Sequence, residues 1–292
     1  MRRTRMHAMF SFMHSRMPLR PALIPLLLAL FASGCAEFDL ARHQAPALPG
    51  WSLDFDDEFD RAGAPDPSKW TPELGYVRNG EAQYYTARPQ NVRVENGMLV
   101  IEARKERYQG FSYTSASITT FDHRQFLYGR VEVRAKLPGG LGTWPAIWLL
   151  GADINQVGWP ACGEIDIMEN VGHEPSRIYG TVHTPAYNHT LKTAKGGTLD
   201  AEAPAEKFHV YALEWSKDRL DFFVDDRRYF IFHNEGRGNA VWPFDKPQYL
   251  ILNLAIGGDW GGERGINDQL FPHRYLIDFV RVYHRPDAVS QR

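Results

Sequence analysis

The sequence predicts an all-β fold, and the simplest arrangement is a sandwich of two antiparallel sheets. Nearly every readable segment between Trp51 and Tyr283 has strand character. No segment has a helical pattern longer than a single turn, and there is no internal repeat or second linker. Residues 51–285 are therefore predicted to form one all-β domain, followed by a short C-terminal tail, residues 286–292.

Residues 1–34 are predicted to be a secretory signal and not part of this domain. Five arginines precede an apolar run, residues 22–32, which ends in Ser33-Gly34-Cys35. A membrane-spanning helix needs about 20 apolar residues, so this run is too short to span. A start at Met13 or Met17 would give a leader of more ordinary length.

Residues 32–35, Ala-Ser-Gly-Cys, resemble the bacterial lipobox, in which the Cys becomes the lipidated first residue of the mature protein. The lipobox usually has Leu three residues before the Cys, and here that residue is Ala32. This resemblance predicts an exported protein that is lipid-anchored in the bacterial cell envelope through Cys35. The alternative is ordinary signal cleavage, which would leave the protein periplasmic or secreted.

The sequence contains two cysteines, Cys35 and Cys162. A leftover thiol is unusual in an exported protein unless it is modified or buried. Lipidation would account for Cys35, and Cys162 would then be a free, sheltered thiol beside Glu164. A 35–162 disulfide is the poorer alternative, because it would tie a chain terminus to the strand that carries Glu164.

Residues 35–50 are rich in Ala and Pro and are predicted to form a linker.

The charge balance argues against a polyanionic partner. Residues 1–34 hold five Arg and no acid, so the remaining chain has 28 basic against 35 acidic residues, a net charge of −7. Nucleic acid and acidic polymers are therefore disfavoured, and a monomer with a neutral partner is expected.

Six segments carry the strand prediction. Segment 129–136 alternates Val131, Val133 and Ala135 with charged residues, which is typical of a strand with one buried face. The others are apolar or rich in β-forming residues. They are residues 98–103, 208–215, 220–224, 248–254 and 275–283.

Residues 163–170 read Gly-Glu-Ile-Asp-Ile-Met-Glu-Asn, so three acids are interspersed with large apolar residues. On a strand, Glu164 and Asp166 point to one face, and regular alternation would point Glu169 to the other. One extra residue, a β-bulge at Ile167 or Met168, reverses that parity. We therefore predict that all three carboxylates line one surface.

With the bulge, Glu164 and Glu169 lie an effective four residues apart, roughly 13 Å at the backbone. Two Glu side chains that lean inward can reduce the gap between their carboxyl groups to about 5 Å, the separation of a retaining glycosidase, whereas inverting enzymes have roughly 6.5–9.5 Å. The alternative is a half-buried strand whose polar face happens to be acidic. However, like charges on one strand face repel and strands are depleted in acids, so the pattern favours a function.

Residues 163–170 resemble the signature of glycoside hydrolase family 16, in the form with the extra residue that laminarinase-type β-glucanases have. Further motifs of the family extend the resemblance over essentially all of residues 51–284. It implies a β-jelly roll, a concanavalin A-like sandwich, with a substrate cleft across its concave sheet. The motifs lie at residues 57–60, 79–85, 128–132, 143–148, 213–215, 253–258 and 277–283.

By this resemblance, Glu164 is the nucleophile and Glu169 the acid/base of a retaining glycosidase. Asp166 would share a proton or a hydrogen bond with a neighbouring Glu, and crowding of like charges raises one pKa. An acid is thereby kept protonated near neutral pH. No Cys/His cluster has the spacing of metal ligands, so no cofactor is expected for catalysis.

Three tryptophans are candidates for stacking on sugar rings. Trp144 and Trp148 are four residues apart and share a strand face, although either could instead pack in the core. The family motif favours Trp144 as a cleft residue. Trp260 lies in the glycine-rich loop 257–262 and is expected to be exposed, because such loops lie at the surface.

Two polar residues are further substrate-binding candidates. His183 could hydrogen-bond a catalytic carboxylate or a sugar from the neighbouring strand, and the alternative is a buried, satisfied histidine. Asn79 resembles a subsite residue of the family. The family often has a second Asn where this chain has Gly80, which puts one sugar contact in doubt.

Family members often carry a structural calcium on the convex face. In this chain that site would draw on Glu58, a carbonyl near Gly97, and Asp278, and such hard oxygen ligands suit calcium. The alternative is that Glu58 and Asp278 are ordinary surface or hydrogen-bonded acids.

The resemblance implies an endo-acting β-1,3-glucanase whose substrate is a β-glucan such as laminarin. Other specificities of the family are mixed-linkage β-glucanase, agarase and transglycosylase. Met168 argues against the mixed-linkage type proper, which usually lacks it, but agarases share the bulged form. A non-catalytic glucan-binding protein would have lost the acids, and Glu164 and Glu169 are both present.

Overall fold

Inward-facing apolar side chains join two β-sheets into a sandwich around one large core. The computed structural model describes residues 45–285. Within this range the only helical elements are α1 (Ile154–Val157) and a 3-10 turn at Asp268–Leu270, and none of its helices is long and apolar enough to cross a bilayer. The prediction of an all-β sandwich is confirmed.

One sheet has ten strands. Its main path runs β15-β14-β13-β8-β17-β5-β6-β3, while β1 pairs with β17 and β4 with β5. All pairs are antiparallel except β3 with β6, which is parallel. The strands are β1 (Ser52–Asp57), β3 (Gln83–Tyr85), β4 (Val92–Glu95), β5 (Met98–Tyr108), β6 (Phe111–Ser115), β8 (Gly129–Lys136), β13 (His209–Trp215), β14 (Arg219–Val224), β15 (Arg227–His233) and β17 (His273–His284).

The other sheet has seven strands in the order β12-β11-β10-β9-β16-β7-β2, and all its pairs are antiparallel. Strand β10, which carries Glu164, Asp166 and Glu169, lies between β9 and β11. The strands are β2 (Thr71–Glu73), β7 (Ser117–Thr119), β9 (Thr143–Gly151), β10 (Glu164–Glu169), β11 (Arg177–His183), β12 (Lys195–Asp200) and β16 (Gln248–Ile256).

The predicted strands are all present, and the differences lie at their ends. Strand β8 has the predicted limits, whereas β5 continues five residues beyond residue 103, to Tyr108. The residues of this extension are mostly charged and partly exposed, and pairing with β6 holds them. The pattern of apolar residues cannot predict this extension, because its side chains do not pack in the core.

The packing of the core explains why Glu164, Asp166 and Glu169 can all lie on one face of β10. Val131, Val133 and Ala135 of β8 turn inward with Ile165 of β10, and all are essentially inaccessible to water. Burial of each large apolar side chain contributes roughly 1.5–3 kcal/mol. The opposite face of the seven-stranded sheet is thereby left for polar chemistry.

Candidate active site

Strand β10 contains the predicted bulge. Asp166 pairs with Trp148 of β9, and Met168 pairs with the next residue along β9, Ile147. On the other side of β10, the ladder with β11 is also shifted between Asp166 and Glu169. Two residues of β10 therefore occupy the place of one at positions 167 and 168.

The extra residue of the bulge lies on the side of β10 that faces the core. Ile167 and Met168 are adjacent in sequence, yet both are fully buried in the core between the sheets. Tyr229 of β15, in the opposite sheet, donates a hydrogen bond of 3.1 Å to the carbonyl oxygen of Ile167. Gly180 leaves room for this tyrosine, since a Cβ there would lie 2.4 Å from the Tyr229 hydroxyl.

Glu164, Asp166 and Glu169 all line one cleft on the outer face of the seven-stranded sheet. The cleft has a volume of about 680 Å³, which is within the usual range for ligand sites. Each of the five substrate-binding residues predicted from sequence also lines it: Asn79, Trp144, Trp148, His183 and Trp260. The prediction that the three acids share one surface is confirmed.

Glu164 is held by two neighbours. Trp159 Nε1 donates to Glu164 Oε2 at 2.9 Å, and His183 Nε2 lies 3.6 Å from Oε1. Burial, followed by the nearby Asp166, raises the pKa of Glu164 to about 8. His183 and the hydrogen bond from Trp159 oppose this rise and favour the ionised form of the carboxylate.

Glu169 receives one hydrogen bond, from Trp144 Nε1 to Oε1 at 3.0 Å. Burial raises the pKa of this carboxyl to about 8, with a further contribution from Asp166. The bond from Trp144 works in the opposite direction. Glu169 can therefore stay protonated at neutral pH.

Asp166 lies between the two glutamates and is buried. Burial raises its pKa to about 8, and among the described residues its Oδ2 has no hydrogen-bond partner, although His183 Nε2 is 3.4 Å away. The three acids are close enough that they lose their protons one after another and not independently. Because its Oδ2 is buried without a donor, Asp166 is suited to hold a proton while Glu164 is ionised.

The tryptophans have three different environments. Trp144 and Trp260 meet edge to face with ring centroids 5.6 Å apart, and Tyr179 packs on Trp260 at 4.8 Å. Trp260 was expected to be exposed; it is half-buried and lines the cleft. Trp148 is buried at the cleft floor, where its Nε1 donates to Asn253 and the Arg78 guanidinium lies 4.9 Å from its ring centroid.

A polar network surrounds Asn79 at one end of the cleft. The Asn79 carbonyl accepts from the backbone N–H of Asp259, which joins this loop to the glycine-rich loop that carries Trp260. Asn79 has φ of 57°, a left-handed conformation in which Asn is enriched. Gln83 and Tyr85 both donate to the buried Glu81, and burial raises the pKa of Glu81.

Sequence reasoning missed several cleft residues. Trp159 is the clearest case: it contacts Glu164 and lies against His189, with ring centroids 5.0 Å apart. Its position five residues before Glu164, in a Trp-Pro pair, was the available signal. Arg78, Glu81 and Asn253 also line the cleft. Glu81 and Asn253 lie within the motifs at residues 79–85 and 253–258, which were the available signal, whereas no local pattern marks Arg78.

The predicted calcium ligands have other partners. Arg281 binds Glu58 with two hydrogen bonds, of 2.7 and 2.8 Å, and Arg134 pairs with Asp278. A guanidinium therefore pairs with each of the two carboxylates, and calcium at this site stays a prediction. Separately, Glu164, Asp166 and His183 present ligand atoms within 4.8 Å of one another. The attraction between His183 and the two acids accounts for that closeness without a metal.

Cys162 is a free thiol and is fully buried next to β10. It packs with Trp148, Leu150 and Tyr249 beneath the cleft. Burial raises the pKa of the thiol to about 12, so it is unreactive. Cys35, the signal and residues 35–44 of the linker lie outside the described residues, as does the tail at 286–292.

A two-sheet β-sandwich with buried carboxylates in an aromatic-lined cleft defines a carbohydrate-cleaving enzyme. Residues 79–281 match the sequence profile of Glycosyl hydrolases family 16. The chain is 47% identical over 261 residues to a β-glucanase of Rhodothermus marinus, an alignment that covers 86% of this chain and 90% of the relative. The chain belongs to glycosyl hydrolase family 16.

Solved structures agree with this assignment. The laminarinase of Rhodothermus marinus superposes with a TM-score of 0.79 at 48% identity, covering 80% of this chain and 97% of the other. A mutant of SCLam, described as a non-specific endo-β-1,3(4)-glucanase and co-crystallised with a glucan oligosaccharide, gives a TM-score of 0.78 at 49% identity, covering 82% and 98%. The fold is therefore the β-jelly roll of the laminarinases.

Proposed function

We propose that the protein is a retaining endo-glycosidase that hydrolyses internal β-1,3 linkages of β-glucans such as laminarin. The observation that carries this proposal is the bulge in β10, which brings Glu164, Asp166 and Glu169 to one cleft. The similarity to β-glucanases and laminarinases supports the substrate class.

In this mechanism Glu164 attacks the anomeric carbon while Glu169 donates a proton to the leaving glycosidic oxygen. The resulting glycosyl-enzyme ester is hydrolysed when Glu169, now ionised, removes a proton from water. Trp159 and His183 support these roles by favouring the charge on Glu164. Asp166 holds a proton between the two glutamates. This reduces the repulsion among the carboxylates when the negative charge passes from Glu164 to Glu169.

Substrate choice is tested by incubating the purified protein with laminarin, lichenan, agarose and carrageenan. We expect laminarin to be cleaved fastest, and short oligosaccharides to be released early because the cleft accepts an internal stretch of polymer. Hydrolysis of agarose or carrageenan without hydrolysis of laminarin would show that the substrate assignment is wrong. Release of glucose alone would show that the protein cleaves from chain ends, which would contradict the endo action.

A second activity, on mixed-linkage β-glucan, has one supporting observation. The SCLam relative at 49% identity is described as non-specific for β-1,3(4) linkages. We therefore expect measurable cleavage of lichenan, slower than that of laminarin.

The stereochemistry of the product tests the double displacement. We expect the first product from laminarin to be the β-anomer, because two displacements at one carbon restore its configuration. Proton NMR during the first minutes, before mutarotation, measures it. An initial α-anomer would contradict the nucleophilic role of Glu164.

The pH dependence tests the separate environments of the two glutamates. In the wild-type protein kcat/KM should fall at alkaline pH as Glu169 loses its proton, because burial raises the pKa of this carboxyl. Trp159→Phe removes the hydrogen bond to Glu164 and raises that pKa, so the acidic limb should move up by about one pH unit. Rate profiles between pH 4 and 10 measure both limbs.

Trp144→Phe is the matched variant, because it removes the hydrogen bond to Glu169 instead. Its alkaline limb should move to higher pH while the acidic limb stays. If both variants shifted the same limb, the assignment of nucleophile and acid to these two residues would be wrong.

We also propose that the protein is exported and anchored by lipidation of Cys35. The apolar run of residues 22–32, followed by Ser33-Gly34-Cys35, supports this proposal, and the chain beyond it is the hydrolase domain. Two or more acyl chains at one Cys bind a membrane stably. Fractionation of cells that express Cys35→Ala tests it, since unchanged membrane association would favour another mode of attachment.

A further inference from the structure

Four aromatic side chains, Tyr76, Tyr84, Tyr108 and Phe111, form a cluster outside the cleft that the proposed mechanism does not use. We refer to this cluster as the aromatic platform. The ring of Tyr84 meets Tyr108 and Phe111 edge to face at 5.4 and 5.5 Å, and the rings of Tyr76 and Phe111 are nearly parallel at 6.2 Å. Tyr76 is 53% exposed, and its neighbour Leu74 is 62% exposed.

The platform is built on a rigid support. Tyr84 lies on β3, while Tyr108 and Phe111 face each other across the hairpin between β5 and β6. The Arg88 guanidinium covers the ring of Tyr108 at 4.3 Å. The outer surface of Tyr76 is left open to water. An exposed aromatic ring that its neighbours hold in place loses little conformational entropy when it binds a ligand.

The platform is continuous with the cleft. Tyr76 belongs to the same loop between β2 and β3 as Arg78 and Asn79, which line the cleft. The backbone N–H of Gly80 donates to the Tyr76 hydroxyl at 3.1 Å, so the loop fixes the ring beside the end of the cleft. Tyr76 is thus held by the residue that follows Asn79, on the side of the cleft that this loop lines.

The chemistry of the platform favours a neutral sugar chain over a protein. Tyrosine rings offer a flat apolar face with a polar edge, which matches the apolar face and hydroxyl rim of a glucose residue. A standard protein interface involves roughly 20–30 residues a side, far more than these side chains. A lipid surface is disfavoured because the cluster lies beside an open polar cleft.

We propose that the aromatic platform is a distal binding site for the β-glucan chain, outside the catalytic cleft. This inference rests on the proposed function. It predicts that a long glucan gains affinity from Tyr76, whereas an oligosaccharide short enough to lie within the cleft does not. The platform would hold the polymer between successive cuts.

Affinity measurements in a catalytically silent background test the proposal. In the Glu164→Gln protein, adding Tyr76→Ala should weaken laminarin binding about three- to tenfold, which is about 0.7–1.4 kcal/mol and within the range for one aromatic contact. The dissociation constant of a β-1,3-linked tetrasaccharide should change less than twofold. Isothermal titration calorimetry measures both ligands.

Two control variants separate the ring from the loop. Tyr76→Phe keeps the ring and should retain laminarin binding. Leu53→Ala removes an exposed apolar side chain on β1 and should have no effect on either ligand. Equal laminarin affinity in the Tyr76→Ala and parent proteins would overturn the proposal. So would equal losses for laminarin and tetrasaccharide, which would mean that the loop merely supports the cleft.

The remaining outcomes distinguish this proposal from the function on which it rests. If the wild-type protein cleaves no β-1,3-glucan, the proposed function is wrong. If it cleaves laminarin while Tyr76→Ala leaves laminarin affinity unchanged, the platform alone is wrong. A concentration-dependent dimer that Tyr76→Ala dissociates would assign the platform to a second copy of the chain and overturn the proposal.

Discussion

Glu164→Gln and Glu169→Gln are each expected to lower kcat on laminarin at least about 1000-fold while the fold remains intact. Each change preserves the volume of the side chain but removes an ionisable group on which one step of the double displacement depends. Circular dichroism and thermal melting would report the fold, and release of reducing sugar would report the activity. Turnover close to that of wild type in either variant would remove that residue from the mechanism.

Azide distinguishes the two roles. In Glu164→Ala, azide should enter the space of the missing nucleophile and give the α-glycosyl azide, an inverted product. In Glu169→Ala, the glycosyl-enzyme still forms on an activated substrate and azide should release the β-glycosyl azide. The same anomer from both variants would contradict the assignment of separate nucleophile and acid/base.

Gly151→Ala is expected to be strongly destabilising, although Gly151 does not line the cleft. Gly151 ends β9, and an added Cβ would lie 2.1 Å from the carbonyl oxygen of Cys162, just before β10. The obstacle is backbone, so a rotamer change cannot relieve it. We expect the free energy of unfolding to fall by about 3 kcal/mol. For a domain of this size that lowers the melting temperature by roughly 6–12 °C.

The displacement should also reach Glu164, because Cys162 is only two residues away. A shift of about 1 Å in a catalytic group can cost roughly 100-fold in rate. Gly139→Ala is the matched control: its Cβ would approach the Cβ of Ala205 at 3.2 Å, and its φ is not in the left-handed region. Similar melting temperatures for the two variants would show that β9 and β10 can separate at low cost.

The core positions and the arrangement of the acids of β10 could be predicted from the sequence because each follows a local residue pattern. Alternation in residues 129–136 reflects one buried and one solvated face, and β8 has those limits. The parity argument required a bulge at Ile167 or Met168 because a strand cannot otherwise turn both Asp166 and Glu169 outward. The structure adds that both apolar residues turn inward together, which alternation alone cannot specify.

The residues that sequence reasoning missed depend on how loops fold against the cleft face of the seven-stranded sheet. Trp159 reaches Glu164 from a loop, and Arg78 reaches Trp148 across the sheet. Trp260 was expected to be exposed because of its glycine-rich loop, but Tyr179 and Trp144 pack against it. Likewise, no local pattern indicates that Arg281 pairs with Glu58 and Arg134 with Asp278.

The hydrogen bond from Tyr229 to Ile167 makes the catalytic strand dependent on the opposite sheet. A bulge frees backbone groups from their own ladder, and here the freed carbonyl is held across the core. Movement of β15 away from β10 would break this bond, so parting of the two sheets should also disturb the catalytic strand. On heating, we therefore expect activity and the packing of the two sheets to be lost in the same transition.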